Sequence, residues 1–517
     1  MPHMSKVKNF CGAAIAPTIV VTLIFFINFC FFGMENTMIG PFVTLSFLRF
    51  RNMSDHYSCM LKTYLIYVTM TVLACFAVIN LPLCILVNAG ALFWLAYWLI
   101  DEYNPTNYFP AGMALIFFQI APVRTPMLLF NRLAALSVSF LVMILFLFLL
   151  SGFRAQKHPL CGFIQQGLDL CKEKLQAFDD HDTTKLEFLH QKLCNINKQI
   201  CDEIYSYNRA SLRLTGKINW YCRYVALFQV VNFATMDLSD TRRANDIRPL
   251  LERFTRQFET RDPSSDHKRL KFYNVKPSRK AFRFRFATRL ALVITPCLAF
   301  AWLSGLENVY WLVISVFFMM IPIYENTKSR IRQRLLGTLA GILLCFVLFS
   351  LIQDLPGRIL LMTLANFMIY GSSNYATMVI YITCSALAVQ SIQSSVEIIL
   401  LQRLMYTVIG GVIAFLGNKL IFPIHIRKEM RIIMQRLDEI RTRMTEISPD
   451  AYPDANERQY QTDQLVIKAY LLMKRLQTYH QMLPALQQSQ DFLTYEKNYM
   501  GFMAAYLQEN LIDKVPF

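Results

Sequence analysis

The feature that most constrains this chain is the placement of its apolar residues. They fall in two long blocks, about 10–152 and 286–424, separated by a polar region and followed by a polar tail. A run of about 20 apolar residues is long enough to cross a bilayer as a helix. Several such runs per block leave few soluble folds open. Charged residues make up 17% of the 517 positions, below the roughly 25% of ordinary soluble domains. We expect an all-α polytopic membrane protein.

The boundaries read as a transmembrane block at 1–152, a helical region at 153–284, a second transmembrane block at 285–424 and a helical tail at 425–517. Spans are expected near 10–32, 37–50, 62–80, 82–100, 106–121 and 131–152, then 286–304, 308–323, 335–353, 357–372, 374–391 and 403–423. Several are shorter than a perpendicular crossing needs, with Pro17, Pro41, Pro82 and Pro110 as candidate breaks. The first run reads as a retained helix and not a cleaved signal, because no small-residue cleavage site follows it.

The two blocks look like copies. Glu35-Asn36 and Glu307-Asn308 lie 272 apart, Asn107-Tyr108 and Asn374-Tyr375 lie 267 apart, and Arg132-Leu133 and Arg403-Leu404 lie 271 apart. Each pair holds the same place within its block. Six spans per block return the chain to its starting side, so the expectation is two parallel six-helix transmembrane repeats. Cations then orient them. The formal charge is +17, and residues 154–285 alone hold 25 Lys and Arg against 15 Asp and Glu. Placing the cation-rich loops inside makes both polar regions and both termini cytoplasmic. Cations crowded at membrane edges suit an anionic leaflet, so nucleic acid is not an expected partner and the bilayer is.

The polar regions carry helical stripes. Leu186, Leu189, Leu193, Ile196, Ile200, Ile204 and Tyr207 recur at spacings of three and four. Such a stripe either packs a bundle on itself or joins a homodimer. Segments 428–447 and 458–483 repeat the pattern. Thirteen cysteines form no C-x-x-C pair, which suits free thiols in a reducing compartment.

Enzyme chemistry is not expected, and neither is a cofactor. The chain has no phosphate loop ending in Gly-Lys-Ser/Thr, no H-E-x-x-H and no G-x-S-x-G. The run Asp179-Asp180-His181-Asp182 reads as helix capping in preference to a metal site. Polar groups inside apolar spans are more informative, because each one needs a partner or water. Asn28, Asn88, Gln119, Asn366 and Gln390 can hold helices together, as can the candidate binding residues Asn374 and Tyr375. Arg289 lies several residues into its span, where it either meets an anion or snorkels to the surface. Arg330 and Arg334, four apart, share a helix face and can steer an anion or simply set topology. Glu35 and Glu307 are the candidate coupling pair, with ordinary turn carboxylates as the alternative.

One stretch carries a resemblance. It holds Tyr310-Trp311, then Pro322 eleven residues after the Trp, then R-x-x-x-R-x-x-G-T-x-x-G from Arg330 to Gly341. Arg403-Leu404, Gly410-Gly411 and Pro423 follow. Over about residues 283–424 the chain resembles the fusaric acid resistance, or aromatic acid exporter, family of bacterial inner-membrane proteins. The resemblance implies export of small organic anions such as aromatic carboxylates, and a periplasmic adaptor subunit as partner. Two other readings stand beside it: a passive anion channel, which few membrane carboxylates would suit, and a membrane scaffold that transports nothing.

Overall fold

The computed structural model describes residues 2–51, 57–100, 106–151, 159–208, 216–235, 241–260, 282–306, 308–352, 354–372, 374–391, 396–447, 451, 453, 455–483 and 490–512. The protein is a polytopic membrane protein, and its described regular structure is entirely helical. It divides into two compact units: 1–154 with 276–425, and 155–275 with 426–517. The first unit joins both apolar blocks, and the second joins both polar regions.

In the first unit, block one comprises α1 (Pro2–Ile27), α2 (Ile39–Arg51), α3 (Tyr57–Ala77), α4 (Leu81–Leu99), α5 (Phe109–Ile120) and α6 (Pro126–Ser151). Block two comprises α11 (Phe282–Ser304), α12 (Tyr310–Met319), α13 (Thr327–Leu351), α14 (Leu355–Gly371), α15 (Tyr375–Gln390) and α16 (Val396–Leu420). Among the described residues, seven helices are long and apolar enough to cross a membrane. The second and fifth of each block are the short ones. At about 1.5 Å per residue none of these four covers a hydrocarbon core of about 30 Å. Three of them, α2, α5 and α12, are buried along most of their length, whereas the long helices turn Leu86, Trp98, Leu141, Leu343 and Leu401 outward. A helix apolar all round belongs in an interior, and α5 and α12 are such helices.

Helix pairings recur between the blocks. In block one α1 packs on α2, α2 on α6, α3 on α5 and α3 on α6; in block two the same pairs form among α11, α12, α13, α15 and α16. Between the blocks, α1 packs on α14 and α11 on α4, so each first helix meets the other block's fourth. The turns after α1 and α11 also match, with Gly33 and Gly305 both at positive φ, 89° and 57°. Only glycine adopts that conformation at little cost.

Two charged stretches lie deeper in helices than the expected spans allow. The cations at 328–334, ahead of the expected span 335–353, form the first two turns of α13. Arg and Lys are good helix formers, and the helical turn sorts them by face: Lys328 and Arg332 are exposed, Arg330 is half-buried and Arg334 is buried. Arg132 and Arg403, expected to open their spans, lie a turn or more inside α6 and α16 and are 2% and 0% exposed. Both helices begin earlier than the expected spans, because the mostly apolar stretches from Pro126 and from Val396 are also helical.

The second unit contains α7 (Pro159–Asp179), α8 (Thr183–Asn208), α9 (Gly216–Ala234), α10 (Thr241–Thr260), α17 (Ile426–Glu446), α18 (Ala455–Met482) and α19 (Gln490–Ile512). Leu186, Leu189, Leu193, Ile196 and Ile200 are buried, and the stripe packs within this unit, on α7 and α9. The aspartate run behaves as a cap: Asp182 Oδ1 accepts from the backbone N–H of Lys185 at 3.0 Å, and Asp179 pairs with Arg248 at 2.5 Å. The buried Lys174 donates to Asn232 Oδ1 at 2.5 Å, and burial pulls its ammonium down to about 8.

Candidate functional site

The interior of block two is organised by the end of α12. Pro322 cannot continue the ladder, so the carbonyls that close α12 need other donors. Non-helical backbone at membrane depth is tolerated only when buried in protein that satisfies it. Side chains from three helices do so. Asn418 Nδ2 of α16 donates to the carbonyl of Met319 at 3.2 Å, and the Tyr108 hydroxyl donates to that of Met320 at 3.1 Å. Arg289 of α11 donates to the carbonyls of Ile321 at 2.9 Å and Pro322 at 2.6 Å. Arg289 is fully buried and its guanidinium lies 5.1 Å from the Phe286 ring. Its charge is held by backbone dipoles, as a strut.

Three other arginines stand along α12 differently. Arg330 lies 3.1 Å over the Tyr375 ring and donates weakly to the Phe318 carbonyl at 3.4 Å. Arg334 sits 4.5 Å over the Phe318 ring, and Arg403 sits 3.7 Å over the Trp311 indole. Both are fully buried. No nitrogen of Arg334 has a hydrogen-bond partner, and neither Nε nor one terminal nitrogen of Arg403 has one. The two are within electrostatic reach of each other. An aromatic face attracts a cation, but such a contact contributes about 1–2 kcal/mol, less than burial of an unpaired charge costs. An anion would satisfy these groups.

The surroundings favour donors. The Tyr375 hydroxyl and the hydroxyls of Thr338 and Thr383 are buried without partners. Thr338 follows Arg334 by one turn. Gly337 and Gly341 bring α13 onto α15 so closely that added Cβ atoms would lie 2.8 Å from the Ala376 carbonyl oxygen and 2.7 Å from that of Ile380. At the far end an amide network holds Trp311 in place. Its Nε1 donates to Gln390 at 3.0 Å, Gln390 donates to Asn308, and Asn308 donates to Gln402 at 2.6 Å.

Of the candidate residues, the structure gathers Arg330, Arg334 and Tyr375. Asn374 instead caps α15, its Oδ1 accepting from the N–H of Ala376 at 3.0 Å. Glu35 is exposed in the turn after α1, and Glu307 lies outside the described residues. Arg403, Trp311 and Phe318 were not anticipated as a group. The available signal was Arg403 itself, a cation seven residues past Val396 in an apolar run.

Residues 296–417, which include Trp311, Phe318, Arg330, Arg334, Tyr375 and Arg403, match the family described as fusaric acid resistance protein-like. This stretch resembles a fusaric acid resistance protein-like domain. The chain is similar to the inner membrane protein YccS of Escherichia coli, with 26% identity over 194 residues, 37% of this chain and 26% of that protein. It is also similar to an uncharacterized protein of Haemophilus influenzae, 29% identical over 143 residues, 27% of this chain and 20% of the other. An uncharacterized Synechocystis protein, slr1298, is 34% identical over 134 residues, covering 25% of this chain and 18% of its own length. The matched stretches therefore span about a quarter or less of these relatives. No solved structure matches the chain.

Proposed function

We propose that this protein exports small organic anions across a bacterial inner membrane, through the interior of block two. One observation carries the reading: among the described residues, the buried Arg334 has no hydrogen-bond partner and the buried Arg403 has two nitrogens without one, both inside the stretch that matches the fusaric acid resistance protein-like family. Fixed guanidiniums suit carboxylates, which they bind by paired, charge-assisted hydrogen bonds. The family's name and the Tyr375 and Trp311 rings support aromatic carboxylates as cargo. The name of the Escherichia coli relative supports the inner membrane as location. The recurrent helix pairings support two parallel copies of a six-helix unit, and the exposed Lys328 and Arg332 support a cytoplasmic start for α13. Even crossings then leave both termini and the second unit in the cytoplasm. A periplasmic adaptor subunit and a homodimer fit the same reading.

Flux of a labelled aromatic carboxylate in proteoliposomes tests it, with Arg334→Gln and Arg403→Gln beside the unaltered protein. Flux that both variants lose supports the reading; equal flux in all three overturns it. A passive channel is the second reading. It is favoured because, among the described membrane carboxylates, Glu35 is exposed and Glu325 faces His425 at 3.5 Å. Flux insensitive to a pH gradient would select the channel. Cysteine labelling at Asp180 checks the orientation, and a periplasmic signal there would reverse it.

A further inference from the structure

The number and spacing of the unpartnered cations narrow the ligand. We propose that the block-two site holds a single dianion, a molecule with two carboxylates separated by about the width of a benzene ring. The proposal rests on the anion reading above and goes one step further.

Charge comes first. Arg334 and Arg403 belong to different helices, α13 and α16, and stand on different aromatic shelves. Among the described residues, no nitrogen of Arg334 has a hydrogen-bond partner, and Nε and one terminal nitrogen of Arg403 have none. A monoanion on one guanidinium leaves the other buried and bare. Two carboxylates on one molecule answer both.

Spacing comes second. The shelves, Phe318 and Trp311, are seven residues apart on α12, about 10 Å along the helix axis at 1.5 Å per residue. A benzene ring with carboxylates at opposite ends, plus a charge-assisted hydrogen bond of about 2.8 Å at each end, covers such an interval. Donor balance comes third. Apart from Asn418 Oδ1 near the end of α16, an acceptor, the unpartnered buried polar atoms described on α13, α15 and α16 are guanidinium nitrogens and the hydroxyls of Thr327, Thr338, Thr383 and Tyr375, all of which can donate. A dicarboxylate offers about eight lone-pair positions against the four of a monocarboxylate.

The test uses an isosteric pair on the full-length protein in detergent. Terephthalate carries two carboxylates, and 4-carbamoylbenzoate keeps the shape with one carboxylate replaced by a neutral amide. Calorimetric titration should show terephthalate binding at least roughly tenfold tighter, the change expected when one buried charge pair is lost. Arg403→Gln should bring that ratio close to one by weakening terephthalate and sparing the monoanion. Equal binding of the two probes by the unaltered protein, with both lost in Arg334→Gln, overturns the dianion inference and leaves the anion site standing. Binding of neither probe overturns both. Should Arg403→Gln fail to fold, the ratio in the unaltered protein decides alone.

Discussion

Blocks one and two each bury an arginine on their sixth helix, 271 residues apart, and the two arginines live in opposite chemistry. Arg132 in block one donates to Asn36 Oδ1 and to the Phe118 carbonyl, both at 3.1 Å, with Glu35 in electrostatic reach. Arg403 in block two rests on Trp311 and leaves two nitrogens without partners. The rest of each interior follows suit. In block one Asn88 and Gln119 exchange hydrogen bonds at 2.9 and 2.8 Å, Asn28 donates to Ser139 at 3.0 Å, and Tyr67 and Ser46 meet at 2.6 Å. Among the described residues of block two, unpartnered buried polar atoms lie on α13, α15 and α16 and also on α11 and α14, more than in block one. A buried cation near free carbonyls becomes a strut. One without them is left short of partners, and the proposed anion site rests on that. The same pairings of helices thus support a scaffold in one block and a candidate path in the other.

Substitution of the two kinds of arginine should separate the blocks most sharply. Arg334→Gln or Arg403→Gln should lower anion flux roughly tenfold to hundredfold, since a hydrogen bond to a charged group contributes about 1.5–3 kcal/mol. Thermal unfolding of the same variants should be unchanged or higher, because an unpartnered buried charge has been removed. If their melting temperatures fall as far as their flux, these arginines are struts too and the contrast collapses.

The mirror experiment is Arg132→Gln, which leaves the Phe118 carbonyl and Asn36 without their donor. It should cost about 3 kcal/mol of stability, read by thermal unfolding in detergent. Arg289→Lys belongs to the same class: a single ammonium replaces a planar fork on two carbonyls, at a cost of about 1–2 kcal/mol. Normal stability in both would show that backbone capping at helix ends is not what these residues supply.

Smaller effects distinguish helix contacts. Gly341→Ala should destabilise by about 1–3 kcal/mol, since its Cβ meets the Ile380 backbone and overpacking displaces α13 from α15. Gly90→Ala in α4 has nothing within 4 Å and should stay within about 0.5 kcal/mol. Between these two, Asn88→Leu should cost on the order of 0.6–1.7 kcal/mol in unfolding assays while leaving flux intact. A transport defect in that variant would place part of the path in block one.

Much of this was legible in advance, and the limits have physical causes. Periodicity and the roughly 30 Å bilayer locate helices well, so the twelve helices of the two apolar blocks, seven of them long and apolar enough to cross a membrane, and the stripe of α8 could be read directly. Arg330 and Arg334 were visible as a face because a four-residue spacing places side chains together on any helix. Helix ends were less legible: the polar first turns of α13 look like a loop to hydropathy, although Arg, Lys and Gln are good helix formers. The last helix, α19, was missed because its polar and apolar residues alternate with no clean stripe.

By itself, the amino-acid order determined that this chain lives in a membrane, how its helices are counted, where its cations accumulate and which family its second block resembles. Each of those follows from local composition and spacing. Tertiary structure alone decided the fate of each buried arginine. Arg289, Arg132 and Arg403 are equally cationic and equally embedded in apolar runs. Their difference is whether another helix brings a carbonyl within about 3 Å, and that depends on contacts between residues up to about 130 positions apart. Sequence spacing specifies a face, and only packing specifies a partner.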